Sequence, residues 1–143
     1  MASYPIPVFY FKVSWNNQDI GFSDVSGLTQ EIQAIEYRDG LTGHAAALKI
    51  PGIPKVNNII LKRGIVQKNN DLFNWFNNNG APNVERRDIM ITLLNDEGAP
   101  VMIWTISQAF PVKCEGPGLK ATGNEIAIES IELTHEGISL KTA

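Results

Sequence analysis

Few side chains in this 143-residue chain could support catalysis. The candidates for a metal site or a Cys–His nucleophilic pair are His44, His135 and the single cysteine, Cys114. Zinc sites usually present paired ligands at short spacing, and these three residues are far apart in the chain. Only the fold could bring them together, and a buried or hydrogen-bonded structural role is the prediction for both histidines. A lone cysteine also excludes an internal disulfide.

Two further patterns resemble functional motifs. Residues 116–121 read GPGLKA, the letters of a dinucleotide fingerprint, but that fingerprint must open a helix. A strand pattern follows here, so the segment is interpreted as a turn. Glu125 and Glu129 fall on one face of that strand pattern and could act as paired carboxylates, yet no aromatic-lined cleft is indicated around them. The sequence predicts no catalytic, cofactor-binding or metal-binding residue.

Length and charge place the chain among single-domain globular proteins. It has 143 residues and a net charge of −3, which gives no overall argument for nucleic acid or an anionic membrane as partner. No apolar run approaches the roughly 18 residues of a membrane-spanning helix. The N-terminus has no basic region of a signal peptide. We expect one domain over residues 1–143, without a signal peptide and without membrane insertion, that is assembled in the cytoplasm or leaves it by a route other than a cleaved signal.

Hydrophobic periodicity predicts a mainly β fold. Alternation or β-rich composition indicates strands over residues 9–15, 20–28, 31–38, 58–67, 86–94, 101–106 and 124–137. One short helix is predicted from Asp71, with Leu72, Trp75 and Phe76 on its apolar face and a stop at residues 79–82. The fold class is two packed antiparallel sheets in a barrel-like domain, with a short flanking α-helix and a long extended loop. Trp15, Trp75 and Trp104 are predicted core residues.

The last predicted strand contains a slip in its alternation. Ile126 and Ile128 have one parity, whereas Ile131 and Leu133 have the other. Because a one-residue slip turns every side chain to the opposite face, a bulge near residues 129–130 would restore the register. Alternatively, the strand serves two sheets, as at a barrel corner.

Charge is distributed unevenly along the chain. Residues 40–70 contain five basic residues and no acidic one, whereas glutamates dominate the C-terminal region. Residues 37–56 read as a long irregular segment rich in Gly and Pro, with too many apolar residues for a solvated linker. Such a long connection is usually functional or disordered. We expect this segment to bind a partner; the alternative is that it folds back over its own barrel.

Eight segments, taken in order, carry a family resemblance: FYFKVSW, IGFSDVSGLTQEI, EYRDG, LKIPGIPKVNNIILKRGIV, DLFNWF, RRDIMITLLNDEGAPV, W-x-x-x-x-AFPVK and ATGNEIAIESIELTHEGI. This series closely resembles the tail tube protein family of contractile phages and contractile injection systems. The resemblance extends from about Phe9 to Gly137. It implies hexameric rings that stack into a rigid inner tube, an architecture shared with the haemolysin-coregulated protein of type VI secretion.

The resemblance also implies partners and contact residues. The partners would be a contractile sheath, baseplate and spike proteins, and luminal cargo, either effector protein or DNA, with no cofactor. The segment that reaches a neighbouring ring or protomer corresponds to Tyr37, Arg38, Asp39, His44, Leu48, Lys49, Ile50, Pro51, Ile53 and Lys55. We hypothesise that the basic stretch from Lys49 to Lys68 meets acidic residues of the next ring, namely the C-terminal glutamates Glu125, Glu129, Glu132 and Glu136.

Other functions remain open at this stage. A paralogue that starts the tube at the baseplate would carry the same motifs. A monomeric β-barrel that carries a small ligand is an alternative from a different class, but it leaves the long segment unexplained. An enzyme comes third, since only the two histidines and the cysteine are available for chemistry. The resemblance would also place the chain in a phage virion, an extracellular particle or a cell-anchored injection machine.

Overall fold

Strands dominate the computed structural model, which describes residues 4–41, 48–78 and 84–143. In chain order the elements are β1 Phe11–Trp15, β2 Gln18–Ile20, β3 Asp24–Ser26, β4 Gln30–Tyr37, β5 Leu48–Val56, β6 Ile59–Gly64, α1 Asp71–Asn77, β7 Arg87–Leu94, β8 Pro100–Glu115, β9 Ile128–Thr134 and β10 Gly137–Thr142. The mainly β class and the short helix are confirmed.

Eight strands form one curved antiparallel sheet. Its order is β2-β1-β7-β8-β9-β6-β3, and β10 pairs with β8 as well. Among the described residues no pairing joins β2 to β3, so the barrel-like sheet is not closed by hydrogen bonds. The strands β4 and β5 pair only with each other and form a separate two-stranded sheet.

The long strand β8 connects the two halves of the curved sheet. Its residues up to Ala109 pair with β7, and those from Phe110 onward pair with β9. Gln108 lies at the change-over with a φ of 54°, and its backbone N–H donates to Asp88 Oδ1 at 3.0 Å. A residue in the left-handed backbone conformation bends a strand locally. The strand shared between two halves is therefore β8 and not the C-terminal strand.

The bulge predicted near residues 129–130 is wrong. Strand β9 pairs with β6 without interruption from Ile128 to Leu133. The register shift lies on the neighbouring strand, between Pro111 and Lys113 of β8. Ile126, whose parity suggested the slip, precedes β9 and is 78% exposed. The alternation within β9 therefore needs no repair.

The core lies between the two halves and beneath α1. It consists of Val13, Trp15, Ile59, Leu61, Leu72, Trp75, Ile89, Ile91, Ile106, Ala109, Ile131 and Leu133, with Trp104 partly buried against it. The three tryptophans are thus core residues, as predicted. The helix begins after Asn70 and has Asn78 as its C-terminal cap; the predicted stop signal at residues 79–82 lies outside the described residues. No helix in the described part of the chain is long and apolar enough to span a membrane.

Where the structure describes it, the predicted irregular segment of residues 37–56 is more regular than expected. Its second half forms strand β5, which pairs with β4 along most of its length. Pro51 and Pro54 lack the N–H that a sheet interior needs, but they fit a strand whose nitrogens face a free edge. Gly52 sits where the register shifts, and a Cβ there would lie 2.5 Å from the carbonyl oxygen of Gln33. Strands β4 and β5 together are called the arm below.

Candidate assembly interface

The arm has almost no support from the rest of its own chain. All eight residues of β4 are exposed, and in β5 only Gly52 and Val56 are partly buried. No other strand or helix of the described chain packs against the arm to a comparable extent. An isolated two-stranded hairpin is marginally stable in water at best. The arm therefore requires contacts that the described part of its own chain does not provide.

Hydrogen bonds hold the base of the arm to the curved sheet. The side chain of Gln30 donates to the carbonyl oxygen of Ile138 in β10 at 3.1 Å. At the other end of the base, His135 Nε2 lies 2.8 Å from the carbonyl oxygen of Asn57. His135 is buried, and its Nδ1 has no partner among the described residues. The structural role predicted for this histidine agrees with that bond.

Most of the predicted contact residues lie on the arm. Cross-strand pairing places Tyr37 opposite Leu48 and Ile50 opposite Ile35, while Pro51 lies opposite Ala34. Asp39 follows β4 and accepts the Leu41 N–H at 2.9 Å. His44 lies outside the described residues. The remaining contact residues, Arg38, Lys49, Ile53 and Lys55, fall in or directly beside the two strands.

The two arm lysines lie opposite carboxylates of the same arm. Lys55 is the cross-strand partner of Glu31, and Lys49 is the partner of Glu36. Opposite charges directly across a strand pair are favourable, although neither lysine comes within 4 Å of a carboxylate that the structure describes. The arm is therefore less basic as a surface than its second strand suggests.

The four C-terminal glutamates do not form one solvated face. Glu129 makes an ion pair with Arg63 at 2.7 Å, and the two side chains are only 14% and 9% exposed. Glu132 accepts from the Asn58 amide at 2.9 Å, and Glu136 lies 3.6 Å from Arg86. Glu125 precedes β9, so it does not share a strand face with Glu129. Because Glu129 is buried with its own arginine, it cannot serve as an acidic partner for a neighbour.

Of the three candidates for chemistry, Cys114 and His135 lie within the described residues, and His44 does not. Cys114 lies on β8 and is partly buried; burial, and then the charge of Glu129, raise the pKa of its thiol. A raised pKa lowers the fraction of reactive thiolate. No group of three His, Cys, Asp or Glu side chains suited to a metal ion occurs in residues 4–41, 48–78 and 84–143. Residues 116–120 are irregular and lead through a turn toward β9, with no helix after the glycines.

Several cavities flank the curved sheet in the described part of the chain. A polar groove of ≈ 400 Å³ lies beside α1, and in it the Arg87 guanidinium stacks over Trp75 at 4.3 Å from the ring centroid. An apolar cleft of ≈ 200 Å³ is lined by Val8, Phe11, Val25, Leu28, Ile91, Leu93 and Trp104. This cleft could not be predicted from the sequence, because its lining comes from segments that are distant in the chain.

Comparison with known families identifies this architecture. The family model of the T4-like virus tail tube protein gp19 matches residues 7–139. The chain belongs to this tail tube family. This is the family that the eight sequence segments resemble. A comparison with curated proteins gives no match.

Solved structures of tail tube relatives extend this assignment. The chain is 38% identical to a chain of an extracellular contractile injection system, the PVC sheath–tube complex in its extended state, with a TM-score of 0.90 and coverage of 98% of this chain and 93% of that chain. It is 35% identical to a chain of the anti-feeding prophage tube-terminating cap, with a TM-score of 0.92 and coverage of 100% and 95%. Hcp1 from Flavobacterium johnsoniae shares the fold at 18% identity, with a TM-score of 0.63 and coverage of 94% and 97%.

Proposed function

We propose that this chain, as a single tail-tube domain, assembles into hexameric rings that stack into the rigid inner tube of a contractile injection particle. The observation that carries the proposal is the unsupported arm, which exposes large apolar side chains along both strands. An exposed apolar surface of this kind marks an interaction site. In a closed ring each copy would present the arm to a neighbour and receive another arm in return.

The proposed role needs no chemistry from the subunit. We infer a non-enzymatic protein without a cofactor, which conducts effector protein or DNA through the lumen when a sheath contracts. Its partners would be the sheath and the baseplate, and it would be assembled in the bacterial cytoplasm before it becomes part of an extracellular particle. The similarity to chains of a sheath–tube complex and of a tube-terminating cap supports this set of partners.

The first prediction concerns self-assembly. We expect the purified chain to elute as a ring-sized species and to show sixfold rings and stacked tubes by negative-stain electron microscopy. Rings that never elongate would favour the tube-initiating paralogue. A monomer at every protein concentration would contradict the proposal. A monomer with a bound small ligand would favour the alternative of a small-ligand carrier.

The second prediction concerns charge in ring stacking. We propose that Lys49 and Lys55 steer the arm toward acidic residues of the next ring, among which Glu125, Glu132 and Glu136 remain candidates. The double variant Lys49→Gln with Lys55→Gln removes both positive charges. Glutamine is chosen because a glutamate at either position would lie directly opposite a glutamate of β4. The variant should form normal rings but stack more slowly, and its stacking rate should lose most of its dependence on salt.

Stacking can be followed by light scattering at two ionic strengths. Rim charges act mainly on association rates, so the tubes that finally form should have the usual diameter. A variant that stacks at the wild-type rate in low salt, with the wild-type salt dependence, would exclude the two lysines from stacking. A suitable control is Lys113→Gln, which removes an exposed lysine located on β8 instead of the arm.

A further inference from the structure

Strand β8 and the chain from β9 to β10 pass between the two halves of the curved sheet at the same place. Before Gln108 the strand β8 pairs with β10, and after it β8 pairs with β9. The strands β9 and β10 are consecutive and are separated only by His135 and Glu136. The Glu136 N–H donates to the carbonyl oxygen of Ser107 at 2.9 Å, so the two crossing segments are bonded to each other. We call residues 107–110 and 134–138 the corner.

Both legs of the arm are hydrogen-bonded to this corner. The leg that enters the arm begins at Gln30, whose side chain donates to the carbonyl oxygen of Ile138 at 3.1 Å. The leg that leaves the arm passes through Asn57, whose carbonyl oxygen lies 2.8 Å from His135 Nε2. A carbonyl oxygen can only accept, so Nε2 carries the hydrogen of this bond. Two bonds to one short segment fix the direction of a hairpin, whereas a single bond would let it rotate.

His135 is the buried member of this attachment. It is only 8% exposed, and its Nδ1 has no hydrogen-bond partner among the described residues. A buried polar group is unfavourable unless it is hydrogen-bonded, and the bond from this ring is directed at Asn57 of the arm leg. The side-chain position of His135 and the position of the arm leg therefore depend on each other.

Strand β7 and the residue before it hold the corner in shape. Gln108 has a φ of 54°, a backbone conformation that favours glycine. Its N–H donates to Asp88 Oδ1 at 3.0 Å, which offsets part of the cost of that conformation. Arg86 lies 3.6 Å from Glu136 and 4.8 Å from the centroid of the Phe110 ring. Both segments of the corner are thus tied to residues 86–88.

We propose that the corner fixes the direction of the arm in the single chain, with His135 as the positioning residue at the arm leg and Asp88 as the residue that keeps the corner bent. In the described chain β4 and β5 pair only with each other, so an arm without these bonds would swing about its legs. An arm held in one direction loses less conformational entropy when it binds. The inference concerns the single chain, and a failure of the proposed tube function would leave it standing.

Pulsed electron paramagnetic resonance on dilute, monomeric protein measures the direction of the arm. One spin label is attached through Lys49→Cys near the free end of the arm, and the other through Lys113→Cys on β8. Cys114→Ser removes the native thiol, and both labelled positions are exposed. An arm held by the corner gives one narrow distribution of label-to-label distances in this parent protein.

Two pairs of matched substitutions test the two positioning residues. His135→Met removes the donor and keeps a side chain of similar length, whereas His135→Gln restores a donor. Asp88→Ala removes the acceptor for the corner, whereas Asp88→Asn restores one. Asp96→Ala is the control, since it removes an exposed carboxylate in the turn after β7, away from the corner. The width of the distance distribution should increase about twofold or more in His135→Met and Asp88→Ala. It should stay at the parent value in the other three variants.

Circular dichroism and thermal unfolding establish which variants keep the folded barrel. Gln30→Met breaks the bond of the other leg at an exposed residue, so it provides the same test should His135→Met fail to fold, and it should broaden the distribution as well. A broad distribution in the parent would refute the inference. A parent-like width in any folded variant that lacks the donor or the acceptor, namely His135→Met, Asp88→Ala or Gln30→Met, would refute it too.

Discussion

Replacing Arg63 with methionine is expected to lower the free energy of unfolding by about 3 kcal/mol. Arg63 Nε lies 2.7 Å from Glu129 Oε1, and both side chains are largely buried. The same guanidinium also donates to Asn69 at 3.3 Å and lies 5.8 Å from the centroid of the Phe22 ring. Removing only the arginine leaves the Glu129 carboxylate inside the sheet without its partner. The loss of stability is large because this carboxylate has little access to water.

Urea denaturation of dilute, monomeric protein at neutral pH would measure this change. The matched control is the double variant Arg63→Met with Glu129→Met. Replacing a buried ion pair by apolar residues of similar volume is often nearly neutral, so the double variant should recover stability to within about 1 kcal/mol of the parent. A single variant as stable as the parent would mean that Glu129 is hydrated once the arginine is removed.

Replacing Gly27 with alanine is expected to destabilise the fold by about 3 kcal/mol or more. Gly27 has a φ of +95°, and a Cβ at this position would lie 2.1 Å from the carbonyl oxygen of Asn58. Both the backbone conformation and the close approach oppose any side chain. The obstructing atoms belong to the backbone at the start of β6, so they cannot move aside as a flexible side chain could.

Gly21→Ala is the matched control, because a Cβ there would meet no atom within 4 Å. Its stability should stay within about 0.5 kcal/mol of the parent. Thermal unfolding of both variants under the same conditions would give the comparison. Equal stability of the two alanine variants would refute the steric argument. Gly27 lies two residues before the backbone contact between Thr29 and Asn57 at the base of the arm, so an altered arm direction should also reduce ring formation.

Local patterns in the sequence predicted the elements whose stability depends on their own residues. The alternation over residues 9–15 located β1, although Phe9 precedes the strand and is exposed. The i, i+3, i+4 spacing located α1, and Leu72 and Trp75 are its buried residues. Strand β10 was not predicted, although Ile138 and Leu140 alternate along it.

Local sequence patterns could not predict which distant segments pair with each other. Strand β5 contains two prolines and a glycine, so its own residues indicate a loop, and only its partner β4 makes it a strand. Likewise, Arg63 was counted among the basic residues of the stretch 40–70. In the structure its charge is paired with Glu129, which lies 66 residues later in the sequence. Such errors follow from counting charges along the chain when the decisive neighbours lie across a sheet.

The sequence by itself determined the β class, the single short helix, the tryptophan core and the family, because alternation, helical spacing and ordered motifs are properties of the chain alone. The tertiary structure decided which strand bends between the two halves, which glutamate is buried, and that the long segment is part of a two-stranded arm. Those features depend on register and burial, which arise only when residues far apart in sequence are paired. The arm combines both levels: its composition indicated a partner, and its pairing with β4 made residues 48–56 a strand.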